Sequence, residues 1–144
     1  MRKAQFFLFL KGIFPIIIGL LFSILITACN SEITSSSVGS KTLSFSGESK
    51  HWSGEISVRQ TGKRQDKHIV FKYKGDAREI TTISYKVEGV DGGGSASEVK
   101  LNKSGVLDTS GGTYTGGTLL SKHDKLTVTI YWNGNSETFS LVSK

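Results

Sequence analysis

Cysteine is almost absent from this sequence, which has a single one, Cys29, among 144 residues. A disulfide within the chain is therefore excluded, and burial of apolar surface has to stabilise the fold. Catalytic and metal-binding motifs are missing too. There is no Gly-x-Ser-x-Gly elbow, phosphate-binding loop or His-Glu-x-x-His helix, and His51, His68 and His123 share no ligand spacing. We therefore predict no enzyme activity, no catalytic residue, no metal and no cofactor.

The sequence after residue 41 also lacks the 3.6-residue periodicity of amphipathic helices. Apolar and polar residues alternate instead, as in the run 52–59, where Ile56 and Val58 share one face. Turn signals separate such runs. The strongest is Asn133-Gly134, because both central residues of a two-residue hairpin take positive φ. The pattern predicts an all-β domain, an antiparallel up-and-down meander of about eight strands.

A meander keeps two exposed edges unless its end strands meet. Closure gives a barrel, and about eight strands enclose either packed side chains or one small ligand. The alternative is an immunoglobulin-like β-sandwich, whose crossovers between sheets would lie in the glycine-rich stretches 89–98 and 108–118. Residues 110–117 are expected to form a loosely ordered connection.

The N-terminal segment has the composition of an export signal. Arg2 and Lys3 precede an uncharged run from Gly12 to Ala28 that is rich in Ile, Leu and Phe, the order of a charged region followed by an apolar one. A span across a bilayer needs about 17–25 apolar residues. Length alone therefore leaves a permanent membrane helix possible.

The boundary after this run favours cleavage. Residues Ile26-Thr27-Ala28-Cys29 resemble the lipobox of bacterial lipoproteins. The resemblance implies that Cys29 carries an S-diacylglycerol and an N-acyl chain, and that residues 1–28 are a signal peptide. The alternative is a buried cysteine at the end of an uncleaved helix. Because two or more acyl chains anchor a protein stably, the predicted location is the extracytoplasmic face of the cell membrane.

Loss of residues 1–28 would leave 116 residues, enough for one domain. The signal has three basic residues and no acidic one, so 15 basic and 12 acidic residues remain, and the net charge falls from +6 to +3. This mild excess does not favour a nucleic-acid partner. Residues 29–41, the lipidated cysteine and a Ser-rich stretch, predict a tether with a reach of about 40 Å. The β domain is predicted at 42–144.

Several short motifs resemble a known group of proteins. His51-Trp52-Ser53-Gly54-Glu55 opens the β domain, Tyr73-Lys74-Gly75 lies further along, and Trp132-Asn133-Gly134 and Glu137-Thr138-Phe139 lie near its end. With the lipobox and the tether, they resemble small Bacillus-type lipoproteins of unknown function. The resemblance implies a calycin-like barrel, distantly related to the bacterial lipocalins. Lipocalins have Gly-x-Trp in the first strand, where Lys50 stands here, so it implies a fold and a location but no ligand.

Aromatic residues on the inward faces are the candidates for a ligand cavity. They are Trp52, Phe71, Tyr73, Tyr85, Trp132 and Phe139. Side chains of this size either line an apolar pocket or fill a narrow barrel completely. The first hypothesis is therefore lipocalin-like binding of a small apolar or amphipathic ligand. The second is a solid β domain that binds a protein or polymer through its surface, as an inhibitor or another envelope module.

The segment from Arg59 to His68 has the densest positive charge of the chain and includes Lys63, Arg64 and Lys67. We interpret it as a solvated hairpin loop. The functional alternative is contact with anionic head groups or wall polymer, to which each basic residue would contribute about 1 kcal/mol. Both interpretations expect the basic side chains to face solvent.

Overall fold

The computed structural model describes residues 39–144, which form a β-barrel with one short 3-10 helix. The strands are β1 (Ser40–Glu48), β2 (Trp52–Thr61), β3 (Arg64–Tyr73), β4 (Thr82–Gly89), β5 (Gly92–Lys100), β6 (Val106–Thr115), β7 (Lys125–Trp132) and β8 (Asn135–Ser143), with the 3-10 helix η1 (Ala77–Glu79) between β3 and β4. The first strand begins two residues before the predicted start of the β domain.

All eight strands belong to one antiparallel sheet in the order β5-β4-β7-β8-β1-β2-β3-β6. The first and last strands of the described residues, β1 and β8, pair where Phe45 lies opposite Ser143 and join the two halves of the sheet. The edge strands β5 and β6 approach each other, so the sheet forms a nearly closed barrel. The predicted all-β meander of about eight antiparallel strands is confirmed. An immunoglobulin-like sandwich would need two sheets, and these strands form one.

The order of the strands departs from chain order around β4 to β6. β3 pairs with β6, and β4 pairs with β7, so the segments 74–81 and 116–124 each connect strands that are not neighbours in the sheet. The segment 74–81 lies near the β7–β8 turn. There Asn133 Nδ2 donates a hydrogen bond of 2.8 Å to the carbonyl of Glu79. As a result β5 and β6, consecutive in the chain, face each other as the two edges of the sheet. We call the gap between these two strands the seam.

The turn chemistry read from the sequence is confirmed at the β7–β8 hairpin. Asn133 has φ 45° and Gly134 φ 77°, so both central residues take the left-handed conformation that a two-residue hairpin needs. Trp132 lies directly opposite Asn135. This register sends Trp132, Ile130 and Val128 to the inner face, where all three are buried.

The core is a single cluster of inward apolar side chains. It consists of Leu43, Phe45, Trp52, Ile56, Val58, Ile69, Phe71, Ile80, Ile83, Tyr85, Val87, Leu107, Leu120, Leu126, Val128, Ile130, Trp132, Phe139 and Leu141. Ser37–Lys144 form one compact unit that contains this whole cluster. Because a domain with its own core is able to fold alone, the fragment 37–144 suits measurements in solution.

The glycine-rich stretch 110–117 differs from the sequence-based expectation. Residues 110–117 were expected to form a loosely ordered connection, and this is wrong for 110–115, which belong to β6. Pairing with β3 from Lys72 to Arg64 holds them in the sheet despite their glycines.

Within residues 39–144, no helix is long and apolar enough to cross a membrane. The predicted signal peptide, Cys29 and most of the tether lie outside the described residues.

Candidate ligand-binding cleft at the barrel seam

Glycines stand on both strands of the seam, where neighbouring side chains approach the backbone closely. A Cβ at Gly111 on β6 would lie 2.8 Å from Ile69 Cδ1 and 2.9 Å from Lys67 Cβ. A Cβ at Gly94 on β5 would lie 3.2 Å from the Tyr114 hydroxyl across the gap. All three distances are shorter than ordinary van der Waals contact, so glycine at these positions lets Ile69, Lys67 and Tyr114 pack directly against the strand backbones.

The seam contains a cleft of about 260 Å³ between β5 and β6. It reaches from the surface down to core residues on the inner faces of β3 and β4. Its lining consists of Lys67, Ile69, Tyr85, Val87, Gly94, Ser95, Ala96, Ser110, Gly111 and Tyr114. Ile69, Val87 and Tyr85 are buried members of the core, so the cleft has an apolar floor under a polar rim.

A buried ion pair lies in one wall of the cleft. Lys67 Nζ is 2.6 Å from Asp91 Oδ2, and the two side chains are only 4% and 1% exposed. The distance makes this an ion pair, but its angles are not those of a hydrogen bond, and Asp91 Oδ1 has no hydrogen-bond donor among residues 39–144. Oδ1 is therefore the unsatisfied atom, because the 2.6 Å contact compensates the charge at Oδ2.

Tyr114 bridges the mouth of the cleft. Its ring centroid lies 4.7 Å from Lys67 Nζ, a cation–π contact. Its hydroxyl has one proton and lies 3.4 Å from the Gly93 carbonyl on β5 and 3.3 Å from the Gly111 carbonyl, so these two oxygens share a single donor. Burial, with a smaller contribution from Tyr114, raises the pKa of the Tyr85 hydroxyl at the floor, so that group stays neutral at physiological pH.

The six aromatic residues predicted to line a cavity all belong to the core or pack against it. Trp52, Tyr73 and Trp132 contact one another at the end of the barrel opposite the β2–β3 turn, with ring centroids 5.1–6.4 Å apart. We call these three residues the aromatic end. Trp52 is fully buried, and its indole nitrogen has no acceptor within the described chain.

The remaining three predicted residues lie nearer the middle of the barrel. Phe71 meets Tyr85 edge to face at 5.3 Å, and Phe139 lies with Phe71 against Gly54, where a Cβ would be 3.1 Å from each ring. Of the six, Tyr85 alone lines the seam cleft. The binding of a ligand by the other five stays a prediction.

A hydrogen-bonded cluster closes the aromatic end from outside. Glu137 accepts hydrogen bonds from Ser49 Oγ and from the His51 backbone N–H, and its other oxygen lies 2.5 Å from His51 Nδ1. Partial burial raises the pKa of Glu137, but the hydrogen bonds from Ser49 and His51 outweigh it and hold the pKa below its usual value. Ser49 bonds to the carboxylate, not to the imidazole, so the cluster lacks the nucleophile–base contact of a catalytic triad.

Two glutamines and a loop close the opposite end of the barrel. Gln60 and Gln65 are buried, and Gln60 donates to Gln65 and to the Leu120 carbonyl. Gln65 in turn accepts from the Leu120 backbone N–H and donates to the Thr118 carbonyl. These bonds fix the loop 116–124 beneath the barrel, with Leu120 inserted into the core.

The expectation that the basic segment 59–68 faces solvent throughout is wrong. Lys67 points into the barrel and is paired with Asp91, while Arg64 is paired with Asp66 at 2.9 Å. Arg64, followed by Thr113, holds the pKa of Asp66 below its usual range. Arg59 and Lys63 are thus the cations of this segment that have no ion-pair partner among the described residues.

Sequence reasoning missed Lys67, although a signal for it was present. Ile69, Phe71 and Tyr73 alternate with polar residues, and the same period extended two residues backward places Lys67 on the inner face. The density of charge around it led to a loop interpretation instead. Asp91 and Gly111 carried no comparable signal, because their roles depend on which strands become neighbours.

Larger depressions elsewhere on the surface offer less to a ligand. The one beside η1 measures about 630 Å³ and is lined by Ile80, Leu101 and exposed polar residues including Arg78 and Lys103. It is more open to solvent than the seam cleft, although Ile80 in its lining also belongs to the buried core. Within residues 39–144, no cluster of three or more His, Cys, Asp or Glu side chains is arranged to hold a metal ion.

Compared with protein-family models, with curated proteins and with solved structures, the chain gives no match. The geometry of the cleft and the motifs of the sequence are therefore the basis for any assignment of function.

Proposed function

We propose that the protein is a lipid-anchored, extracytoplasmic binding protein whose barrel holds a small amphipathic ligand in the seam cleft. The observation that supports it best is the cleft between β5 and β6, which reaches the core residues Ile69, Tyr85 and Val87. Small-molecule sites are concave and mostly apolar, with a few convergent polar groups. The seam cleft has this composition, with Ile69 and Val87 at its floor and Lys67 in its wall.

The position of the cleft fits delivery from a membrane. Ser40, where β1 begins, pairs with Thr61 beside the β2–β3 turn. Lys67 lies three residues beyond the start of β3 at Arg64, so the cleft lies in the half of the barrel at which the chain enters. The predicted tether from Cys29 would join the barrel at this half, and its reach of about 40 Å would allow the cleft to meet the lipid surface.

Ligand capture from lipid tests the binding function. We expect the fragment 37–144, incubated with a bacterial envelope lipid extract and then re-isolated, to retain a low-molecular-weight species detectable by mass spectrometry. Gly111→Ala should reduce that species strongly, because the added methyl group enters the cleft at Lys67 and Ile69. Equal retention by the wild type and this variant would contradict a site at the seam.

Lipid labelling tests the anchor. Cells that express the full chain and receive a clickable palmitate analogue should label the wild type, whereas Cys29→Ser should remove the label and keep the unprocessed mass, since the thiol is the acceptor. A labelled Cys29→Ser protein, or one cut normally before residue 29, would sink the lipoprotein assignment while leaving the cleft unaffected.

The second hypothesis, a solid β domain that binds through its surface, is favoured by one observation. The aromatic end is densely packed, with Trp52 fully buried, as a filled barrel requires. The exposed cations Arg59 and Lys63 are the best candidates for binding an anionic surface. Lys67 is buried and is not available for such a contact. Sedimentation with anionic vesicles that is unchanged in Arg59→Ala/Lys63→Ala would exclude this patch.

A further inference from the structure

We propose that the seam cleft selects uncharged amphiphiles, whose hydroxyl or carbonyl oxygen accepts a hydrogen bond from Lys67. This inference rests on the proposed function of the cleft and specifies the class of ligand. It follows from three features of the lining: a compensated charge, a donor with spare capacity and an otherwise neutral rim.

The charge of Lys67 is already compensated. Asp91 lies 2.6 Å away, and both side chains are almost completely buried. A ligand carboxylate in the cleft would compete with Asp91 for the single positive charge of Lys67. A ligand ammonium group would be repelled by Lys67. Either ligand would leave one charge uncompensated in a site shielded from water, which is strongly unfavourable. An uncharged ligand leaves the pair intact.

Lys67 nevertheless has donor capacity to offer. An ammonium group has three N–H donors, and the contact with Asp91 occupies one side of it. Nζ forms no hydrogen bond with a carbonyl or hydroxyl oxygen of the described chain, and its residue lines the cleft. An oxygen that accepts without a negative charge, such as that of an alcohol, an ester or an amide, fits this position.

The rest of the rim is neutral as well. It carries the hydroxyl groups of Ser95, Ser110 and Tyr114. The hydroxyl of Tyr85 at the floor is neutral too, and burial raises its pKa further. The volume of about 260 Å³ corresponds to roughly nine water-sized units at about 30 Å³ each. The cleft therefore accommodates an eight-carbon chain with one polar head group.

Four probes with the same chain length and different head groups compare neutral, anionic and cationic ligands. We expect 1-octanol and octanamide to bind the fragment 37–144 at pH 7 at least tenfold more tightly than octanoate or octylammonium, as measured by NMR titration. Octanoate that binds as tightly as octanol would overturn the inference, because Lys67 would then exchange Asp91 for the ligand. Failure of all four to bind would remove the proposed function and this inference together.

The Asp91→Asn variant tests whether the carboxylate of Asp91 is what keeps an anionic ligand out of the cleft. In Asp91→Asn the charge of Lys67 loses its partner, so octanoate should gain at least tenfold in affinity while octanol changes little. Asp66→Asn is the matched control, because its carboxylate pairs with Arg64 on the outer face. An octanoate affinity that is the same in Asp91→Asn and wild type contradicts the proposal. If the variant shows no cooperative thermal transition, the wild-type ranking of the four probes decides alone.

Discussion

At the aromatic end of the barrel the inward side chains are large and contact one another, whereas at the seam the two facing strands carry glycine. Trp52 and Trp132 meet with their ring centroids 5.5 Å apart, while a cleft of about 260 Å³ lined by Gly94 and Gly111 lies between β5 and β6. Both regions belong to the same sheet. The comparison indicates that the aromatic end supplies the stability of the barrel and the seam supplies its opening.

The two regions also differ in the charge of their buried polar groups. At the aromatic end, Glu137 accepts hydrogen bonds from Ser49 and His51 at the edge of the packed rings. At the seam, the carboxylate of Asp91 is more deeply buried and has an oxygen without a donor among residues 39–144. The aromatic end also buries the indole nitrogen of Trp52 without an acceptor in the described chain. The two unsatisfied groups therefore differ in charge, and the carboxylate at the seam has the larger desolvation cost.

The largest expected effect is at the aromatic end. Trp52→Ala should lower the free energy of unfolding of the fragment 37–144 by about 3–5 kcal/mol, since it removes a fully buried ring from a packed cluster. Urea titration followed by circular dichroism measures this. The control is Tyr131→Ala on β7, whose side chain is 49% exposed, and it should change stability by about 0.5 kcal/mol or less. Equal losses in the two variants would contradict the assignment of stability to the aromatic end.

The buried ion pair should give the next largest effect. Lys67→Met leaves Asp91 as an uncompensated buried charge and should cost about 3 kcal/mol. The double variant Lys67→Met/Asp91→Leu removes both charges and should recover most of that loss, because an apolar pair often replaces a buried ion pair without cost. Urea midpoints of the two variants check this, and a double variant no more stable than the single one would count against compensation between the two groups.

Filling the seam should have a moderate effect on stability and a large one on binding. Gly111→Ala places a methyl group against Ile69 and Lys67 and should cost about 1–2 kcal/mol through overpacking. Gly117→Ala is the matched control, because a Cβ there meets nothing within 4 Å. Thermal unfolding with and without 1-octanol measures both effects. A ligand-induced stabilisation that survives in Gly111→Ala would place the ligand elsewhere.

The smallest effect is expected at Glu137, and it depends on pH. Because the folded pKa of Glu137 lies below its usual value of 4.5, folding favours the ionised form, and this contribution is present above that value and lost as pH falls through the folded pKa. Glu137→Gln should therefore cost about 1 kcal/mol at pH 7, through weaker hydrogen bonds from Ser49 and His51. The difference from wild type should shrink toward pH 3. A difference independent of pH would argue against an ionised Glu137 as the acceptor.

Much of the fold could be predicted from the sequence because its signals are local. Alternation fixes which face of a strand is buried, as for Ile56 and Val58, and Asn133-Gly134 fixes a hairpin and its register. The pairing of β3 with β6 was not predictable in this way, since it depends on the path of the segment 74–81. Strand β6 was missed from Ser110 to Thr115 because its glycines and polar residues have low β propensity, and pairing with β3 overrides that propensity.

The candidate site was less predictable than the fold. The aromatic residues were recognised as inward-facing, but whether inward rings surround a space or fill it depends on their mutual packing, which no local pattern specifies. The cleft is lined instead by Gly94, Gly111 and Lys67. Lys67 lies on β3, and its partner Asp91 lies in the β4–β5 turn. Residues brought together by strand order alone have no common signature in sequence.

A map of amide and indole NMR shifts in the fragment 37–144 during titration with 1-octanol tests the central claim most directly. We predict the largest shifts at Gly94, Gly111 and Tyr114, with the indole signals of Trp52 and Trp132 almost unchanged. Largest shifts at those two indoles would contradict a site at the seam and place the ligand at the aromatic end.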